Sequence, residues 1–246
     1  MGALTFRCFA RLLCLLLIPV LIGRAAPQVF SSGPGQVSLL ELYTSEGCSS
    51  CPPAEAWLGK LREDPGLWRD FVPVAFHVSY WDRLGWPDRF ASRQFTDRQY
   101  AYADAWRADT VYTPGFVLNG RDWGGHRDRK PPGRGGCGGV LTVEITAGRC
   151  LVSYVPAAGH LDNYEVHAAL LGGGIVSQVK AGENRGETLK HEFVALTLAR
   201  HGLAQGRAGF ALPESTATGI SRRSLAVWVT RRGSAVPLQA TGGWLD

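Results

Sequence analysis

Beyond residue 26 the sequence has no apolar run of the roughly 20 residues that a membrane-spanning helix needs, which excludes a helical span there. Several enzyme signatures are missing as well. There is no P-loop, no G-x-S-x-G nucleophile elbow and no second C-x-x-C, and His191-Glu192 runs on into Phe193-Val194-Ala195 instead of completing H-E-x-x-H. Excess charge is scarce: 26 basic residues stand against 21 acidic ones, a net +5. The local basic concentration, Arg127 to Arg134, is Pro/Gly-rich and reads as a solvated linker.

The chain opens with Arg7 and Arg11, an apolar run from Leu12 to Ile22, and the small residues Gly23, Ala25 and Ala26. A basic start, a short hydrophobic run and a small-residue end describe a secretory signal peptide over residues 1–26, with an uncleaved anchor as the alternative. The expected product is exported, periplasmic or secreted, and free of the membrane after cleavage. Without Arg7, Arg11 and Arg24 the balance is 23 basic against 21 acidic residues, or +2, too little to suggest nucleic acid. Cys8 and Cys14 leave too, so Cys48, Cys51, Cys137 and Cys150 remain in a compartment where disulfides persist. Cys137 and Cys150 are expected to form a structural disulfide, worth about 3 kcal/mol by loop closure, with free thiols as the alternative.

The remaining chain reads as two parts. Val37 to Tyr43 is a buried strand; Ala54, Trp57, Leu58 and Leu61 then recur at helical spacing; Val72 to Tyr80 is a second buried strand. A helix behind the capping residue Ser92 follows, then Gly115 to Leu118 as a strand ending in the hairpin signal Asn119-Gly120. Strand, helix, strand, helix, strand, hairpin predicts an α/β layer over residues 36–128. After a Gly/Pro/Arg-rich linker at 129–139, short runs at 140–145, 150–155, 164–171, 175–179, 192–198 and 224–230 predict a mainly β, sandwich-like domain over 140–246. The run from Glu192 fits a helix equally well.

Cys48 and Cys51 follow a predicted strand and precede a predicted helix. A helix start stabilises a thiolate, the species that attacks disulfides, so Cys48 is read as the attacking residue and Cys51 as the resolving one. Pro52 and Pro53 complicate this. They favour Cys51 as the N-cap with Cys48 in the loop ahead, so either cysteine can carry the low pKa. A permanent structural disulfide and a metal site are the other readings. For metal, His77 and His126 would have to join the cysteines in a copper-handling arrangement, whereas zinc wants four ligands and one C-x-x-C supplies two. No metal and no cofactor is therefore expected.

The stretches ELYTSEGCSSCPPAEAWL, FHVSYWDRLGWPDRFAS, FTDRQYAYA, VYTPGFVLNGR and KAGENRGETLKH resemble an exported, thioredoxin-like family catalogued as a domain of unknown function. The resemblance runs from about Gln36 to about His201 and implies an α/β thioredoxin-like fold. It implies Cys48 and Cys51 as the redox pair, Pro114 as a cis-proline facing them, and Tyr112 and Thr113 as backbone edge for an extended peptide substrate.

A parallel sheet gathers ligands at one strand edge, so Trp81, Asp82 and Trp86 are expected beside the cysteines. Asp82 would accept or relay a thiol proton, and the tryptophans would wall an apolar groove. Alternatively Asp82 caps a turn and the tryptophans only pack. Gly182 to Gly186 reads as a turn; the resemblance suggests that Asn184 and Arg185 meet the first part. The expected function is thiol–disulfide exchange with exported protein thiols or disulfides and a separate redox partner. The rival is a non-enzymatic binding module with a permanent Cys48–Cys51 bond.

Overall fold

The computed structural model describes residues 26–124, 130–161 and 163–246. The expected signal peptide, up to residue 25, lies outside the described residues, as do Cys8, Cys14 and His126. No helix among the described residues is long and apolar enough to cross a membrane.

The first half contains β1 (Gln28–Ser31), β2 (Ser38–Thr44), α1 (Pro52–Lys60), β3 (Phe71–His77), α2 (Arg93–Trp106), β4 (Gly115–Leu118) and β5 (Arg121–Asp122). Next come β6 (Val140–Thr146), β7 (Arg149–Val155), β8 (Tyr164–Gly173), β9 (Ile175–Gln178) and β10 (Thr188–His191). The chain finishes with β11 (Val194–Leu203), β12 (Arg207–Ala211), β13 (Arg222–Arg231) and β14 (Pro237–Trp244).

Local chemistry explains these boundaries. Every residue of β2 and β3 is buried, as expected for parallel strands covered on both faces. Helix α1 starts at two prolines, which have no N–H to leave unpaired in a first turn. Ser92 caps α2 by accepting the Gln94 N–H at 3.2 Å. The β4–β5 turn places Asn119 and Gly120 at φ 49° and 78°, the left-handed pair that a tight hairpin needs.

One finding overturns the expected α/β thioredoxin-like domain followed by a mainly β sandwich. Among the described residues the protein is mostly β, 43% strand against 15% helix. Strands from both halves also enter one eight-stranded sheet, in the order β14-β13-β8-β11-β3-β2-β4-β5. The joint is the parallel contact between β3 and β11, one rung at Ala75 and Val194, with the Ala75 N–H donating to the Phe193 carbonyl at 2.8 Å. Pro73 has no N–H and lies outside that rung, in keeping with the weak pairing of a proline-bearing strand. A second, four-stranded sheet, β1-β6-β7-β12, packs through Leu141, Val143 and Val152 on Val166, Leu225 and Val227. The main core is a separate cluster that gathers Leu39, Leu42, Phe76 and Phe95 with Trp228 and Phe193.

The segment from Glu192, ambiguous in sequence, is strand from Val194 onward. Cys137 and Cys150 are both free, against the expected disulfide. Cys150 pairs with Ile145 while Val140 pairs with Val155, so Cys137, before Val140, lies off the opposite end of the hairpin. Five strand residues span about 16 Å, and a disulfide tolerates no more than about 7 Å between Cα atoms.

Candidate functional site

The loop from β2 to α1 carries Cys48 and Cys51, which are joined by a disulfide with Cα atoms 5.4 Å apart. Cys51 is the N-cap of α1, as the following prolines suggested, but its φ of −78° and ψ of −36° are helical. Its carbonyl accepts the N–H groups of Ala54 and Glu55 at 2.9 and 3.1 Å. Ser49 and Ser50, between the cysteines, are exposed, whereas both cysteines are 0% exposed.

Segments from both halves hold this loop. Asn184, itself buried, donates through Nδ2 to the carbonyls of Glu46 at 2.8 Å and Cys48 at 3.0 Å. Ser49 donates its N–H and hydroxyl to Glu183 Oε2 at 3.2 and 2.7 Å. Trp86 Nε1 donates to Glu46 Oε2 at 2.7 Å, and the Glu46 N–H donates to Asp88 Oδ2 at 2.8 Å. A Cβ at Gly47 would come within 3.2 Å of Trp81 Cβ, so a side chain there would press on the indole. That indole reaches on to donate to Thr113 Oγ1 at 2.8 Å, beside the cis Thr113–Pro114 bond.

The expected site residues therefore separate. Trp81, Trp86 and Thr113 are tied to the cysteine loop or to each other by these contacts. Asp82 is occupied elsewhere: its Oδ1 accepts the Asp88 N–H at 3.1 Å and its carbonyl accepts the Gly85 N–H at 3.3 Å, the capping role. Burial, helped by the Asp88 charge, raises its pKa. The Tyr112 hydroxyl donates to Asp122, and its carbonyl is taken by Gln99 Nε2 at 2.8 Å, so that carbonyl already has a partner. Asn184 does reach the first half; the side chain of Arg185 is exposed.

A buried polar cluster lies along the same loop and helix, and most of it escaped the sequence reading. His77 ends β3, Glu55 sits one turn into α1, His191 ends β10, and Glu46 and Asp88 belong to the two loops just described. All five side chains are buried. His77 Nδ1 lies 2.6 Å from Asp88 Oδ2, and Asp88 also accepts the Phe90 N–H at 2.9 Å. His191 Nδ1 pairs with Glu55 Oε2, while Thr44 donates to Glu55 Oε1 at 2.6 Å. On its other side, His191 Nε2 is 3.2 Å from Glu46 Oε1, an ion-pair distance without hydrogen-bond alignment.

Burial alone would discharge these groups; mutual pairing reverses it. Burial pushes Asp88 up, but the His77 charge and hydrogen bond bring it down to about 2. Burial pushes His191 down, but Glu55 and Glu46 raise it to about 10. Against the same burial penalty, His77 is raised by Asp88, and Glu55 and Glu46 are lowered chiefly by His191. The arrangement therefore holds fixed charges of both signs in the interior over a wide pH range.

The chain turns sharply two residues after His191. Phe193, between β10 and β11, has φ 58°, a conformation that costs a bulky residue about 1–3 kcal/mol. That turn buries the Phe193 ring beside Trp68 and Trp244 and presents its carbonyl to Ala75. A sequence signal existed for Glu55, an acidic residue on the buried face of a helix four positions after Cys51. None marked His191, whose partners are 136 and 145 positions away.

Comparison with curated proteins found no match. Among solved structures, the X-ray crystal structure of a structural-genomics target from Agrobacterium tumefaciens is similar at TM-score 0.61 and 24% identity, covering 85% of this chain and 94% of that one. The structure of HBP35 of Porphyromonas gingivalis is similar at TM-score 0.57 and 14% identity, covering 87% of this chain and 77% of that one. These likenesses concern the fold alone. In sequence, residues 39–134, which include Glu46, Cys48, Cys51, Glu55, His77 and Asp88 but not Asn184 or His191, match the model of an uncharacterised family described as "Protein of unknown function (DUF1223)".

Proposed function

We propose that this is an exported thiol–disulfide exchange protein acting on protein substrates through Cys48 and Cys51. The observation that carries the reading is the Cys48–Cys51 disulfide at the head of α1, bridged by two exposed serines. In the oxidising direction, a substrate thiolate attacks this disulfide, a mixed disulfide forms, and a second substrate thiolate displaces the protein thiolate. The substrate leaves oxidised and both cysteines leave reduced, so a separate redox partner must take up the electrons.

The second reading, a permanent disulfide in a binding module, is favoured by one fact: neither cysteine is exposed. Attack requires the loop to open, with Ser49 releasing Glu183 and Asn184 releasing the Glu46 and Cys48 carbonyls.

A redox titration separates the two. The protein is equilibrated in glutathione and dithiothreitol buffers, alkylated, and read by peptide mass spectrometry. The exchange reading expects a potential between about −120 and −270 mV; a pair that stays oxidised until below about −300 mV sinks it in favour of the staple.

A further inference from the structure

The cluster of Glu46, Glu55, His77, Asp88 and His191 contains more bonding capacity than its members use. His77 Nε2, fully buried, has no hydrogen-bond partner, while His191 Nε2 and Glu46 Oε1 meet only each other, at 3.2 Å and without hydrogen-bond alignment. Potential ligand atoms of Glu55, His77 and His191 all lie within 4.8 Å of one another. We propose that these three residues bind one divalent transition metal ion, with zinc as the best chemical match, through His77 Nε2, His191 Nδ1 and a Glu55 carboxylate oxygen.

The groups behind the ligands carry the argument. In protein metal sites a ligating imidazole almost always gives its far nitrogen to a carboxylate, carbonyl or water, which fixes the ring and its tautomer. Here each histidine has its own carboxylate: Asp88 at 2.6 Å from His77 Nδ1, and Glu46 at 3.2 Å from His191 Nε2. Those carboxylates are held in turn. Asp88 accepts the Glu46 and Phe90 N–H groups, and Trp86 donates to Glu46. Thr44 holds the remaining oxygen of Glu55. The front atoms of all three ligands then face one another, with His191 Nδ1 and Glu55 Oε2 already in contact. A buried water would satisfy one orphan nitrogen but gives no reason for two carboxylate-backed imidazoles to converge on a third carboxylate.

Donor chemistry narrows the ion. Two imidazoles and one carboxylate form a ligand set that zinc accepts with a fourth position left open. Calcium and magnesium prefer all-oxygen surroundings. Entry is available, because Glu55 also borders a cleft of about 450 Å³ between α1 and β10, lined by Pro52, Ala56, Gly59, Thr188 and Lys190. The site is independent of thiol exchange, since none of its ligands is a cysteine.

The test uses the full chain without reductant, stripped with EDTA and desalted. Zn²⁺ alone is titrated by calorimetry, metal content after desalting is measured by mass spectrometry, and Co²⁺ serves as the visible-light probe. The expected result is one ion per chain and a Co²⁺ spectrum of nitrogen and oxygen ligands without a sulfur charge-transfer band. Binding should be lost in His77→Ala and Glu55→Gln and weakened about 10–100-fold in Asp88→Asn, a positioning residue. Circular dichroism checks that each variant folds. Zn²⁺ should also raise the melting temperature of the unmodified protein, a readout that needs no variant. The proposal is overturned if the unmodified protein binds neither ion, if folded His77→Ala and Glu55→Gln bind as tightly as it does, or if a thiolate band appears. None of these outcomes alters the redox titration, so the two readings fail separately.

Discussion

Two buried polar clusters lie on opposite sides of the sheet core and are built on different terms. In the first, Glu41 of β2 accepts Arg98 Nε at 2.7 Å, Arg98 Nη2 at 3.0 Å, the Tyr43 hydroxyl at 2.9 Å and the Tyr102 hydroxyl at 2.6 Å. Burial works against the Arg98 charge, and Glu41 more than offsets it, so the guanidinium pKa lies above its usual value. Four donors converge on both carboxylate oxygens. In the second cluster, the one beside the disulfide, His77 Nε2 is left over and His191 Nε2 meets Glu46 Oε1 without hydrogen-bond alignment. A closed network of this kind holds helix α2 to the sheet, whereas an open one keeps a place for something that is not protein.

The largest effect that would sharpen this contrast is expected at Glu41. Glu41→Ala strands a buried guanidinium and should cost about 3–5 kcal/mol in urea unfolding. The deficit should persist whether or not Zn²⁺ is present, because the two clusters share no partner; a Zn²⁺-dependent deficit would break the comparison.

Next in size is a pH effect at His167, which stacks on Trp228 near Arg98. Burial first, then the Arg98 and Arg200 charges, hold His167 down to about 3 from an ordinary 6.5. The unfolded chain therefore binds the proton more readily. Stability from this residue is complete above about pH 6.5 and drains as pH falls toward about 3, by roughly 3 kcal/mol at pH 4. Unfolding curves from pH 7 to 4 should show this slope, and His167→Leu should flatten it; an unchanged slope would move the acid sensitivity elsewhere.

The smallest effect is expected at Asn184. Asn184→Ala removes both side-chain donors to the cysteine loop and should cost about 1–2 kcal/mol. It should also speed reduction of Cys48–Cys51 by dithiothreitol, followed by alkylation and mass shift. An unaltered rate would mean that the loop opens without releasing this clamp.

Local signals in the sequence carried most of the elements. The branched and apolar runs before Tyr43 and Phe76, the Ser92 cap, the Asn119-Gly120 turn and the alternation from Val140 to Val155 all mark structure within a few residues of where it forms. The fold class failed for a reason of range. A helix after each of two strands argues for an α/β layer, but Val194 pairing with Ala75 merges the halves into one sheet, and no local pattern encodes a pairing 119 positions apart. The site divides the same way. Cys48 and Cys51 were visible as a motif, and Trp81 and Trp86 as neighbours of a strand end. His191 looked like half of an absent motif because its meaning depends on β10 and β11 turning at Phe193.

Asn184 reaches back across 136 positions to the Cys48 carbonyl, and His191 reaches back the same distance to Glu55. On a chain made from its N-terminus, both cysteines emerge long before either residue exists. During that interval the pair has its helix but no clamp, and Glu55 has no imidazole. On the growing chain a thiol or disulfide therefore reaches Cys48 and Cys51 without first displacing Asn184, a barrier that only the finished C-terminal half supplies.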